Sequence, residues 1–209
     1  MIPARIFLIL FLLLAAARAD AANVEALVGG GTASSEDSSA DFFQVRVSAV
    51  HALLARLDAF AGLEYTQSEE TDGDDYYYSS SNDVRFSFYY PAAALGLRFK
   101  PVVRDKIQLY LALGAVAGRV YYETDFSHSH LTLLSEDKDS AYFIVPRFEM
   151  GLNHRISERT TLIAQGGATG ALPAFNAVAA NKKTGVIEDV TVNNRGYMFG
   201  FMLGVRYKY

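Results

Sequence analysis

Apolar residues fall on alternate positions through most of this chain. In residues 195–209, Tyr197, Phe199, Phe201, Leu203, Val205, Tyr207 and Tyr209 alternate with Met198, Gly200, Met202, Gly204, Arg206 and Lys208. Strand side chains point to opposite faces with period two, so one face is large and aromatic and the other small or charged. A helix, with its 3.6-residue period, would scatter the same aromatics around its circumference. The pattern recurs. In residues 107–122, Ile107, Leu109, Leu111, Leu113 and Ala115 oppose Gln108, Tyr110, Ala112, Gly114 and Val116. In residues 141–154, Tyr142, Ile144, Phe148, Met150 and Leu152 oppose Arg147, Glu149, Gly151 and Asn153. Further segments lie at 24–34, 42–51, 54–67, 84–99 and 160–175, which makes eight predicted strands.

The connections alternate in length. Long polar stretches lie at 32–41, 68–83, 123–140 and 176–194, and short turns at 51–53, 100–106 and 155–159. An even strand number, with short turns at one end and long loops at the other, predicts an all-β fold: a transmembrane, antiparallel, up-and-down barrel. Each segment reaches the roughly 9–11 residues that a spanning strand needs. With the N-terminus in the periplasm, the long loops face outward. A strand of a soluble sandwich is the alternative for any one segment. At 51–53 no Gly, Asn or Pro marks the turn, and Val47, Val50, Leu54, Leu57 and Ala61 approximate a helical stripe; the clean alternation after Leu57 favours a hairpin. Pro91, Pro146 and Pro173 fall inside predicted strands, where a closed barrel has no free edge, so bulges or strand ends are expected there.

Composition narrows the class. The chain has 209 residues, 51% of them hydrophobic, with 13 Tyr and 14 Phe, an aromatic load suited to interfacial belts. It has no Cys, which excludes disulfides, thiolate metal sites, a Cys nucleophile and a lipoprotein anchor. The formal charge of −4 gives no footprint for nucleic acid. Residues 1–19 read as a secretory signal: Arg5 is the positive n-region, residues 6–17 the apolar run and Ala17-Arg18-Ala19 the cleavage site. Residues 20–209 are then the barrel domain, with no further domain expected after it.

The final strand resembles that of bacterial outer-membrane β-barrels. Phe201, Leu203, Val205, Tyr207 and Tyr209 fit the terminal signal that the barrel-insertion machinery reads, with Tyr in place of the commoner final Phe. The mature chain as a whole resembles the OmpA/OmpX-like group. That resemblance implies a monomer in the outer membrane of a Gram-negative bacterium, bathed in lipid and lipopolysaccharide. Eight strands leave an interior just wide enough for side chains to fill. Glu25, Arg46, Arg56, Asp58, Glu64, Arg147, Glu149 and Arg206 fall on predicted inward faces, where unpaired charges would be costly. They are expected to pair as a static polar plug, with Arg147 and Glu149 as neighbours; a proton or ion path, or a gate, is the functional alternative.

Chemistry is sparse. Gly29-Gly30-Gly31 is followed by neither Lys-Ser/Thr nor a helix, so it is not a phosphate loop; relief of crowding or a bend is expected there. His128-Ser129-His130 shares a loop with Glu136, Asp137 and Asp139. Lipid A deacylases of similar size use a His, a Ser and a Glu near the outer rim, but the longer motif that carries them is not matched here. Two His at i, i+2 have no defined third ligand. Residues 69–75 are carboxylate-rich but lack the spacing of a calcium loop, and Tyr76 to Tyr78 fit an aromatic girdle. No cofactor or metal is expected. The expected role is structural or surface-interacting, through loops that meet lipopolysaccharide, a host surface or neighbouring cells. A lipid A-modifying hydrolase and a narrow solute channel are the alternatives.

Overall fold

The computed structural model describes residues 23–34, 39–68, 71–73, 84–125, 131–136, 140–173, 175–192 and 197–208. The expected signal segment, the His128-Ser129-His130 cluster, Tyr76 to Tyr78 and Tyr209 lie outside them, as does most of the acidic loop.

Among the described residues, twelve strands form two sheets. They are β1 (Asn23–Ser34), β2 (Ser39–Leu54), β3 (Leu57–Ser68), β4 (Thr71–Gly73), β5 (Val84–Val103), β6 (Ile107–Asp125), β7 (Leu131–Glu136), β8 (Ser140–Arg155), β9 (Thr160–Thr169), β10 (Phe175–Asn181), β11 (Ile187–Val192) and β12 (Met198–Lys208). Eight of them, β1, β2, β3, β5, β6, β8, β9 and β12, pair antiparallel in sequence order. The pairing of β1 with β12, from Asn23 opposite Lys208 to Ala33 opposite Met198, closes the cylinder. Both ends of the barrel chain therefore sit at the rim with the short turns, which is the periplasmic rim.

Alternation sets the wall. On β6, Leu109, Leu111 and Leu113 are exposed while Tyr110 and Ala112 are buried. On β12, Phe199, Phe201, Leu203 and Val205 are exposed while Met198 and Met202 are buried. Leu113 is 67% exposed and Ile144 79%. A belt of this kind around a closed cylinder far exceeds the apolar patches that monomeric soluble proteins present to water, and it matches a surface solvated by lipid.

Several boundaries differ from expectation. β2 continues past residues 51–53 through a bulge between Ala52 and Leu54, and Ala55 and Arg56 form the turn. Arg56 is therefore exposed in a periplasmic turn rather than inside the barrel. β5 runs on to Val103, which carries Lys100 from the expected turn onto the inner face. β9 stops at Thr169, six residues short of the expected end, and residues 170–173 continue without a strand ladder while Leu172 joins the buried apolar cluster. The loops also hold structure: β4 extends the edge beside β5, and β7, β10 and β11 form a separate three-stranded sheet.

Pro91, Pro146 and Pro173 each sit where a ladder bond is dispensable. The β5–β6 register lapses at Tyr90 and Pro91 and resumes at Ala92 opposite Gly118. Pro146 lies one residue beyond the end of the β8–β9 ladder, where its carbonyl accepts from the Gly170 amide at 2.9 Å. Pro173 lies past β9, and its carbonyl accepts from the Tyr122 hydroxyl. The triple glycine lies within β1. A Cβ on Gly29 would come 1.9 Å from the Phe201 carbonyl oxygen, so the close approach of β12 excludes a larger residue.

Candidate functional site: the charged lumen

Inward positions bring the charges together. Glu25 comes from β1, Arg46 from β2, Asp58 and Glu64 from β3, Arg98 and Lys100 from β5, Arg147 and Glu149 from β8, and Arg206 from β12. All but Arg206 are buried, and the Arg206 side chain is only 11% exposed.

Three of the pairs cross the lumen, and two, Arg206–Glu25 and Lys100–Asp58, join neighbouring strands. Arg46 holds Glu149 through both guanidinium nitrogens, bridging strands four apart around the eight-strand ring. Arg147 donates twice to Glu64 and once to Thr169 Oγ1 at 3.0 Å. Arg98 donates to both oxygens of Glu25, at 2.6 and 3.0 Å. Arg206 Nε donates to Glu25 Oε1 at 2.7 Å. Lys100 donates to Asp58 at 2.7 Å. Arg147 and Glu149 are second-order neighbours at 3.8 Å, because each is held by a partner on the far wall. Bidentate Arg–carboxylate pairs fix geometry as well as charge, so these bonds tie opposite walls together.

Aromatic and amide groups complete the plug. The guanidinium groups of Arg46 and Arg98 lie 5.8 and 5.6 Å from the centre of the Phe60 ring. Arg98 also lies 4.2 Å from the centre of the Tyr110 ring, within cation–π range. The Tyr110 hydroxyl donates to Gln165 Oε1 at 2.7 Å, and the Gln165 amide donates to Glu149 at 3.3 Å. Gly151 makes room for this ring: a Cβ there would meet the Tyr110 ring at 2.3 Å.

Toward the outer rim the filling becomes apolar. Phe42, Phe88, Tyr90, Val116, Val120 and Phe143 belong to one buried cluster. Tyr90 meets Phe143 edge-on at 5.1 Å, and its hydroxyl lies 3.7 Å from the Met198 sulfur. The lumen is therefore not the wholly polar plug expected. These residues lie on segments apolar on both faces, so alternation of polarity does not mark their inward side. A void of 20 Å³ remains between the ion pairs and the apolar cap, lined in part by Tyr90, Arg147, Glu149, Gln165 and Met198. That is room for about one water molecule. Among the described residues, no group of three His, Asp or Glu side chains is placed to hold a metal.

Of the residues expected inside, Glu25, Arg46, Asp58, Glu64, Arg147, Glu149 and Arg206 share this network, and Arg56 does not. Arg98, Lys100, Tyr110 and Gln165 belong to it and were not singled out from the sequence. Arg98 had a signal: it stands between Leu97 and Phe99 in a predicted strand. Phe201, Leu203, Val205 and Tyr207 line the outer face of β12.

No protein-family model matches the sequence, and no curated protein does. Solved structures do. Neisserial surface protein A is 19% identical with a TM-score of 0.54, over 90% of this chain and 97% of that one. A major outer membrane protein of Thermus thermophilus is 12% identical with a TM-score of 0.56, over 90% and 99%. The outer membrane protein OprG of Pseudomonas aeruginosa is 12% identical with a TM-score of 0.54, over 90% and 96%. The chain has the fold of the small eight-stranded outer-membrane β-barrels, and its lipid-facing belt sets it in that membrane.

Proposed function

We propose that this barrel is a non-enzymatic surface-interaction protein, a rigid stopper that displays an extracellular sheet. The observation that carries the reading is the hairpin of β10 and β11, joined to β7 beyond the barrel rim. Its turn is built rather than loose. Asn181 Oδ1 accepts from the amides of Lys183 and Thr184, the Gly185 amide donates to the Asn181 carbonyl at 2.8 Å, and Gly185 takes φ 69°. The turn presents Lys182 and Lys183 beside Val186 and Ile187, which are 55% and 66% exposed.

Two cations next to two exposed aliphatic side chains suit a surface of anionic groups on an apolar base, such as lipopolysaccharide or a host surface. The filled lumen supports the same reading, because ion pairs and an apolar cap leave no open bore between the described walls. The test uses the protein in nanodiscs against immobilised lipopolysaccharide. Lys182→Glu with Lys183→Glu is expected to weaken binding at least tenfold at low salt while the barrel stays folded. Unchanged binding would remove the hairpin from the account.

A further inference from the structure

The periplasmic mouth holds a second feature, independent of the loops. A vestibule of 170 Å³ opens there between β6, β8, β9 and β12 and the turns beside them. Lys106, Arg155, Arg159, Arg206 and Lys208 line it, against the carboxylates of Asp105 and Glu158. The wall is thus three charges positive.

One buried group points into this space, and a shared carboxylate stands behind its wall. Asn153 is 1% exposed and lines the vestibule, yet neither its Oδ1 nor its Nδ2 has a hydrogen-bond partner. Buried amides of this kind are normally satisfied. Behind the wall, Glu25 is fully buried and serves two guanidinium groups at once. Arg98 takes both of its oxygens, and Arg206 Nε shares Oε1. Arg206 Nη2 lies 2.5 Å from that same oxygen without the alignment of a hydrogen bond, and it too is buried. One carboxylate balances two cations, and the uncompensated charge falls on Arg206, at the wall of the vestibule.

From this arrangement we infer that the vestibule binds a small oxyanion of the phosphate type. The anion completes the charge balance that Glu25 leaves open, with Arg206 as its principal cation. Asn153 Nδ2 donates to it from the floor, and Asn153 Oδ1 accepts from a water or a protonated oxygen beside it. Lys106, Arg155 and Arg159 on the rim steer it inward. The space holds roughly ten water centres, enough for a phosphate with part of its hydration. The phosphate is either free in the periplasm or the headgroup of a phospholipid of the inner leaflet folded over the rim.

The probe is inorganic phosphate, titrated by calorimetry into the mature protein in a phosphate-free detergent at low ionic strength, with chloride as control. One saturable site is expected. Arg206→Gln and Asn153→Leu should each weaken it at least tenfold, with folding checked by heat-modifiable gel mobility. Should either fail to fold, Lys106→Gln and Arg159→Gln, both in exposed turns, are expected to weaken binding about threefold each. Arg56→Gln, in an exposed turn outside the vestibule lining, should leave it unchanged. Repeating the titration in phospholipid nanodiscs separates the two sources: retained binding assigns free phosphate, and competition by lipid assigns the headgroup. Absence of saturable binding in detergent, or equal weakening by Arg56→Gln, overturns the site.

Discussion

Arg147→Met gives the most informative perturbation of the lumen. It removes two bonds to Glu64 and one to Thr169 while leaving the side-chain volume nearly unchanged. Glu64 is 3% exposed, so its carboxylate would stay buried without its cation. Breaking a buried pair from one side costs about 3–5 kcal/mol, mostly the penalty of the charge left behind. Glu64→Leu should cost less, about 1.5–3 kcal/mol for the lost charged hydrogen bonds, because Arg147 can turn to Glu149, already 3.8 Å away. The double variant leaves neither charge unpaired and should fall within about 1 kcal/mol of the parent, since an apolar pair of similar volume often replaces a buried ion pair at little cost. The assay is reversible urea unfolding in lipid vesicles, read as a double-mutant cycle. Coupling of several kcal/mol is expected. A cost below about 1 kcal/mol for Arg147→Met, or a double variant as unstable as the summed singles, would refute the pairing as the element that holds opposite walls together.

Further outcomes follow from the same geometry. Gly151→Val should push the Tyr110 ring off Arg98 and Gln165 and destabilise the barrel by about 1–3 kcal/mol or more, measurable by the same unfolding assay. Leu113→Arg places a cation on the lipid face and should cost about 2–4 kcal/mol if that residue lies near the bilayer midplane, whereas Arg56→Ala in the exposed turn should change stability by less than about 0.5 kcal/mol. Planar-bilayer recordings should show no steady openings, and sustained conductance would contradict a lumen filled by ion pairs and Phe42, Tyr90 and Phe143. Incubation with lipid A should leave its mass unchanged; a change abolished by His128→Ala or His130→Ala would replace the surface-interaction reading with a hydrolase.

Strand number and facing are legible in this chain wherever the two faces differ in chemistry. In β6, β8 and β12 the outward leucines and aromatics alternate with Gly, Ala and charged residues, so lipid and lumen sides separate on inspection. Legibility fails where chemistry is the same on both faces or where ends matter. The apolar cap is hidden because Phe143 and Ile144, or Val120 and Tyr121, are apolar on both sides. The β2–β3 hairpin is misplaced by a few residues because Ala55 and Arg56 carry no turn signature, which puts Arg56 inside, and ending β5 before Pro101 puts Lys100 outside. Partner choice is not local either. Arg147 stands two positions from Glu149, but barrel closure brings Glu64 to it from 83 residues away. The β10–β11 hairpin had a signal in Asn181 and Gly185, but it is masked by a polar setting that reads as loop.

The central claim is a closed cylinder that turns one set of alternating residues to lipid and packs the other set inside. Methyl-resolved NMR in nanodiscs reads this without substitution, through magnetisation transfer from lipid acyl protons to labelled Leu, Ile and Val methyls. Strong transfer is predicted to Leu111, Leu113, Ile144 and Leu203, and none to Leu27, Val116 or Ile163. Equal transfer to both sets, or transfer to the second set alone, would contradict the cylinder.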